Sequence, residues 1–139
     1  MAVDPGLKKC GLVLADIQAG LVLDGVVASS ASVVKVMSDW NMATPFRGII
    51  LGNGTSSSYW HKKFIKFAPV QFVEEEGSTF RARTRYWELW PPVNWRRLIP
   101  RGLILPPHEL DAIAALVFLE DFIDHELSWP GPPTFRTVL

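Results

Sequence analysis

Apolar runs broken by single acids and glycines fill the first 28 residues, and the near-repeat Gly11-Leu-Val-Leu-Ala-Asp and Gly20-Leu-Val-Leu-Asp-Gly predicts two short strands. Ser32 to Met42 fits a strand or a short helix equally well. Gly48-Ile-Ile-Leu-Gly-Asn-Gly-Thr reads as a strand entering an Asn-Gly turn. The aromatic and β-branched stretch from Tyr59 to Val73 contains Pro69, so an edge or bulged strand is expected there. From Thr79 to Trp90 the chain alternates, with Arg81, Arg83, Arg85 and Trp87 on one face and Phe80, Ala82, Thr84 and Tyr86 on the other, which predicts a regular strand. Pro91, Pro92 and Pro100 bracket a loop, and Gly102 to Leu105 is read as a last short strand. Pro107, Glu109 and Asp111 then favour a helix start, with the helix running to about Leu127. Its stretch Ala112 to Leu119 is apolar on every side, so it should be covered twice, by the sheet and by a second surface.

The expected fold class is therefore α+β: a curved antiparallel β-sheet followed by one long C-terminal helix. At 139 residues the chain has room for one core of ordinary size. Within it, residues 1–45 read as an N-terminal apolar segment of extra strands, and 46–139 as the functional sheet-and-helix unit. The single cysteine, Cys10, cannot form an internal disulfide. Leu7 to Val27 superficially resembles an anchor, but Asp16, Gln18 and Asp24 interrupt it, so a membrane span is rejected and an intracellular protein is expected.

Charge changes the picture, because a net of zero conceals a division along the chain. Residues 47–101 carry ten Lys and Arg against four Glu, a net of +6, whereas residues 102–139 carry Arg136 against six acids, a net of −5. On a strand, Arg81, Arg83 and Arg85 would project at about 6.6–6.8 Å intervals, matching phosphate spacing along a nucleic acid. Aromatic rings interleave with other cations, and cations on a backbone beside rings that stack on bases suit single-strand binding. The alternative is a solvated face whose arginines pair with Glu74 to Glu76.

Other chemistry finds less support. Asp121, Asp124 and His125 could share a metal but lack a second histidine, and His61 and His108 are isolated. Gly52-Asn-Gly-Thr-Ser-Ser-Ser lacks the lysine of a phosphate loop, and no nucleophile–base set can be assembled. No metal, cofactor or catalytic residue is expected.

Arg85-Tyr-Trp, then a proline-containing connection, then Pro100-Arg-Gly-Leu-Ile-Leu-Pro-Pro-His-Glu-Leu before an acidic apolar helix, resembles the single-stranded-DNA-binding domain of the positive cofactor four family. Asn94-Trp-Arg-Arg followed by a short strand and a helix is similar to the related Whirly proteins. The resemblance covers roughly residues 60–127. It implies a curved four-stranded antiparallel sheet whose helix packs at a dimer interface, through Ile113, Leu116, Val117, Phe118 and Phe122.

The function expected is a non-catalytic, homodimeric or higher homo-oligomeric protein that binds single-stranded DNA or RNA in transcription, replication or repair. Lys62, Lys63, Lys66, Arg81, Arg83, Arg85, Arg96, Arg97 and Arg101 would meet phosphates, with Trp87 and Trp95 for stacking. The rival reading is a structural or adaptor subunit of a larger assembly, such as a viral particle.

Overall fold

Strand alternation sorts the N-terminal residues onto two faces of one sheet. In the structure, a computed structural model that describes residues 1–133 and 136–139, β1 (Ala2–Asp4), β2 (Lys9–Asp16) and β3 (Leu21–Ser29) form an antiparallel meander. α1 (Val33–Ala43) follows and leads into β4 (Ile49–Gly52), which pairs parallel to β1. α2 (Ser57–Phe64) connects to β5 (Val70–Val73), parallel to β4. After α3 (Ser78–Leu89), two 3-10 turns (Asn94–Leu98 and Arg101–Leu103) lead to α4 (Asp111–Ile123), and β6 (Arg136–Val138) returns to pair parallel to β3. The sheet order is β5-β4-β1-β2-β3-β6.

Val3, Cys10, Leu12, Leu14, Ile49 and Leu51 point to one face and pack with Val33 and Met37 of α1 and Trp60 and Phe64 of α2. Ala2, Val13, Val22 and Ile50 point to the other face, where α4 lies on the sheet and α3 lies on α4. A helix between two layers has no solvent stripe. That accounts for the apolar run of α4, and Ile113, Leu116, Val117 and Phe118 are all buried inside this one chain. The second covering surface is α3, and among the five residues expected at a dimer interface Phe122 alone is exposed.

The expected architecture is thus corrected to an α+β fold with a six-stranded mixed sheet and four helices. A parallel half, β1-β4-β5, adjoins the antiparallel meander. Thr79 to Trp90, expected as a strand, is mostly α3, and its burial follows helical spacing through Ala82 and Tyr86. Tyr59 to Val73 is not one strand but most of α2, a turn and β5. Gly102 to Leu105 is not a strand either, because the second 3-10 turn occupies its first half. The last helix has 13 residues, so no long C-terminal helix forms. The strands expected at 11–16 and 20–25 and the strand at 48–51 are present. Among the described residues no helix is long and apolar enough to cross a membrane.

Candidate acidic site at the strand ends

Three carboxylates meet where the parallel strands end, and each arrives by a different route. Asp4 ends β1 on the same face as Ala2, toward α4, and the register sets it opposite Gly11 of β2. The turn that follows it is fixed from α2: Ser56 Oγ donates to the Pro5 carbonyl at 3.1 Å and Trp60 Nε1 to the Gly6 carbonyl at 2.9 Å. Glu75 lies two residues beyond Val73, which pairs with Gly52 at the end of β4. Asp111 opens α4.

Glycine makes the approach possible. A Cβ on Gly11 would stand 2.0 Å from both the carbonyl carbon and oxygen of Asp111, so only a glycine beside Asp4 lets the α4 N-terminus settle there. Glu75 lies against Gly52 and Gly54, with Oε1 2.4 Å from where a Cβ at position 52 would stand and Oε2 2.6 Å from one at position 54, a contact its flexible side chain could relieve by turning aside.

The electrostatics follow from this crowding. Burial raises the Asp4 carboxyl to about 7, the negative charges of Asp111 and Glu75 push it the same way, and Lys9 opposes them. Burial also raises Glu75, against the pull of the Gly54 backbone amide. Glu75 Oε1 is buried without a hydrogen-bond partner. Lys9 Nζ donates to Glu109 at 2.8 Å and lies 3.1 Å from Asp111, and the hydrogen bond to Glu109 holds the ammonium above its usual range.

Such a site has surplus negative charge, oxygen donors from three elements and one unsatisfied acceptor. Carboxylate oxygens are the donors that a hard divalent cation such as Mg²⁺ or Mn²⁺ takes. Among the described residues no group of three His, Cys, Asp or Glu is placed to hold a metal ion, so a cation would have to draw these carboxylates together. The carboxylates are gathered without being clasped together. Two clefts, of about 780 and 310 Å³, do not include them. The larger lies between α3 and α4, where Arg81 pairs with Asp121 and Arg85 with Glu120.

The expected nucleic-acid residues are scattered by the change of secondary structure. Arg81 is tied to Asp121. Arg85 is mostly buried, donating Nε to Glu120 Oε2 at 2.9 Å, Nη2 to Oε1 at 2.7 Å and Nη2 to the Leu127 carbonyl at 3.0 Å. Trp87 is buried, with Nε1 donating to the Ile104 carbonyl at 3.0 Å, so it cannot stack on a base. Arg83 is half-buried, and its Nε has no hydrogen-bond partner. Lys62, Lys63 and Lys66 belong to α2 and the turn after it, on the opposite side of the sheet from α4; Lys63 lies over the Tyr59 ring and Lys66 over the Phe67 ring. Trp95, Arg96, Arg97 and Arg101 remain together and exposed between α3 and α4. Asp121, Asp124 and His125, weighed and set aside as a metal set, are not among groups able to hold a metal ion in the described residues, and Asp121 is engaged by Arg81.

Asp4, Glu75, Asp111 and Lys9 were missed. The available signals were an acid closing an apolar strand before Pro-Gly, and an aspartate at the mouth of an apolar helix. No protein-family model matches the chain, and no curated protein matches it significantly.

Proposed function

We propose that this chain is a divalent-cation-dependent phosphodiester hydrolase acting on nucleic acid. The observation that carries the reading is the convergence of Asp4, Glu75 and Asp111 at the carboxyl ends of the parallel strands, with Asp4 pushed to about 7 by burial and by its two acidic neighbours. In open sheets with parallel strands, ligands are met at that edge. Holding surplus charge there in the free protein is costly, and a bound cation removes the cost.

Asp4, Glu75 and Asp111 would hold the cation, which when bound polarises a phosphoryl oxygen and acidifies a water. The chain's own side chains supply the rest. Burial of Asp4 keeps bulk water off one side of the site and leaves its carboxyl ready to give up a proton near neutrality. Lys9, hydrogen-bonded to Glu109, also pairs with Asp111 and offsets part of its charge. Nucleic acid stays the partner, supported by the exposed Arg96, Arg97 and Arg101 beside the exposed Trp95, and the acids add chemistry that a non-catalytic module lacks.

Hydrolysis of bis(p-nitrophenyl) phosphate and of a fluorescein-labelled oligonucleotide in Mg²⁺, Mn²⁺ or EDTA tests this. The wild-type chain should turn over both in either metal and neither in EDTA. Asp4→Asn should lose on the order of a hundredfold or more, since even an outer-shell partner of a metal is worth about 10–100-fold. Equal rates for wild type and the Asp4→Asn, Glu75→Gln and Asp111→Asn variants would overturn the proposal.

A further inference from the structure

The connection between α3 and α4 presents a row of cations with no acids among them. From residue 89 to residue 108 the sequence has Arg96, Arg97 and Arg101 and no Asp or Glu. All three arginines are exposed, and none takes part in the ion pairs among the described residues. Of the other cations, Lys9, Lys35, Arg81, Arg85 and Arg136 have carboxylate partners, and Lys8, Arg47, Lys62, Lys63, Lys66 and Arg83 lie outside the ion pairs among the described residues; what sets the arm apart is three such arginines in six residues with an exposed indole beside them. Beside the free cations stands Trp95, 67% exposed, with the Arg96 guanidinium 6.0 Å from its ring centroid.

This segment is held at both ends. Pro92 is buried on the α3 side. On the α4 side Ile104 is buried, and its carbonyl accepts the Trp87 indole at 3.0 Å. Between the anchors, 3-10 turns at Asn94–Leu98 and Arg101–Leu103 and the fixed φ of Pro100 limit the conformations open to the arm. The backbone that carries its cations and its ring is therefore restricted before any ligand arrives. The arm then runs through Pro106 and Pro107 into Asp111, so its C-terminal end delivers the chain directly to the carboxylates.

We propose that residues 93–105 grip a single nucleic-acid strand and lead it to the acidic site. The inference rests on the hydrolase reading for what lies at the end of the arm, and on the arm's own chemistry for what it binds. Three unpaired guanidinium groups complement a run of phosphates, and the exposed indole offers a face on which one base stacks. A single strand has base faces free for that contact, whereas a duplex has its faces already stacked. The exposed side chains of Leu98, Leu103 and Leu105 give the arm apolar surface on which the unpaired bases rest.

Fluorescence anisotropy of a labelled oligonucleotide, single-stranded or annealed to its complement, measured with the full chain in EDTA, tests the grip without turnover. The wild-type chain should prefer the single strand. Trp95→Ala should weaken single-strand binding by about five- to a hundredfold, while Trp95→Phe restores most of it. Arg96→Gln/Arg97→Gln/Arg101→Gln should lower the slope of log affinity against log salt by about 2, the value for three lost phosphate contacts on a single strand. Circular dichroism of each variant should match wild type, since these side chains are exposed.

Equal single-strand affinities for wild type and the arm variants would overturn the grip. Duplex preference, or arm variants that change self-association in sedimentation while leaving oligonucleotide affinity intact, would also overturn it. Hydrolysis of bis(p-nitrophenyl) phosphate by the wild-type chain and by Asp4→Asn reports on the carboxylates separately. Loss of binding in the arm variants together with absent diester hydrolysis would therefore leave the grip standing and remove the hydrolase.

Discussion

Replacing Asp4 by Asn should make the metal-free protein more stable at pH 8 and leave it almost unchanged at pH 3. Asp4 is half-buried, and burial with its acidic neighbours raises its carboxyl to about 7 from the ordinary 3.8. An acid raised in this way binds its proton more tightly folded than unfolded. Between pH 4 and 7 the unfolded chain ionises first, so stability falls as pH rises and levels off above about pH 7. At 1.36 kcal/mol per pH unit, the gap between 3.8 and about 7 amounts to roughly 4 kcal/mol as an upper bound. Asparagine has nearly the same shape and no charge to bury, so the variant escapes that loss. The difference between the two chains, measured by urea unfolding in EDTA, should grow from near zero at pH 3, through about 1 kcal/mol at pH 4.5, to as much as about 4 kcal/mol at pH 8. Glu75 is raised by the same cause, so the variant keeps a smaller decline of the same sign. Millimolar Mg²⁺ should stabilise the wild-type chain at pH 8 far more than the variant, because binding to the folded state alone adds RT ln(1 + [L]/Kd). Parallel pH curves for the two chains, or a variant less stable than wild type at pH 8, would refute the account of Asp4 as a buried, charge-crowded carboxyl.

Four further outcomes check other parts of the fold. Gly11→Val should destabilise by about 1–3 kcal/mol in chemical denaturation and lower hydrolysis sharply, because the new Cβ meets the Asp111 backbone and α4 must shift. Arg85→Met should cost about 3–5 kcal/mol, since it leaves the Glu120 carboxylate buried beneath α3 without its bidentate partner, and the Arg85→Met/Glu120→Leu pair should recover much of that. Trp87→Phe removes the hydrogen bond to Ile104 and should cost about 1–2 kcal/mol by thermal unfolding. Cys10 is buried, with burial pushing its thiol up to about 11, so a disulfide reagent at pH 8 should react with it only as fast as the chain opens.

The sequence carried the strands of the meander and the β4 strand because their information is local. Leu12, Val13 and Leu14 read as a strand whatever surrounds them, and the Asn53-Gly54 pair marks the end of Ile49–Gly52 without outside help. The apolar girth of α4 was also legible, and with it the need for a second cover. What covers it was not, because Thr79 to Trp90 satisfies two periodicities at once. Its alternation of arginines with Phe80, Ala82 and Thr84 fits a strand, and its Ala82–Tyr86 spacing fits a helix. The choice belongs to tertiary structure: as a helix it buries Ala82 and Tyr86 and brings Arg81 and Arg85 to Asp121 and Glu120, pairings that span 35 to 40 residues. The basic arm was legible because it is exposed, and its side chains keep the character that the sequence gives them.

The acidic site shows the opposite case. Asp4, Glu75 and Asp111 stand as separate acids along the chain, and the local signals at Asp4 and Asp111, a strand end and a helix start, fit a solvated carboxylate equally well. Parallel pairing of β1, β4 and β5 brings the first two to one edge, and Gly11 admits the third. The sequence by itself determined which residues are charged and which segments seek the interior. Only the tertiary structure decided which charges share a low-dielectric space, because that depends on distances between residues about 70 and 107 positions apart, and a carboxylate becomes chemically useful through its neighbours.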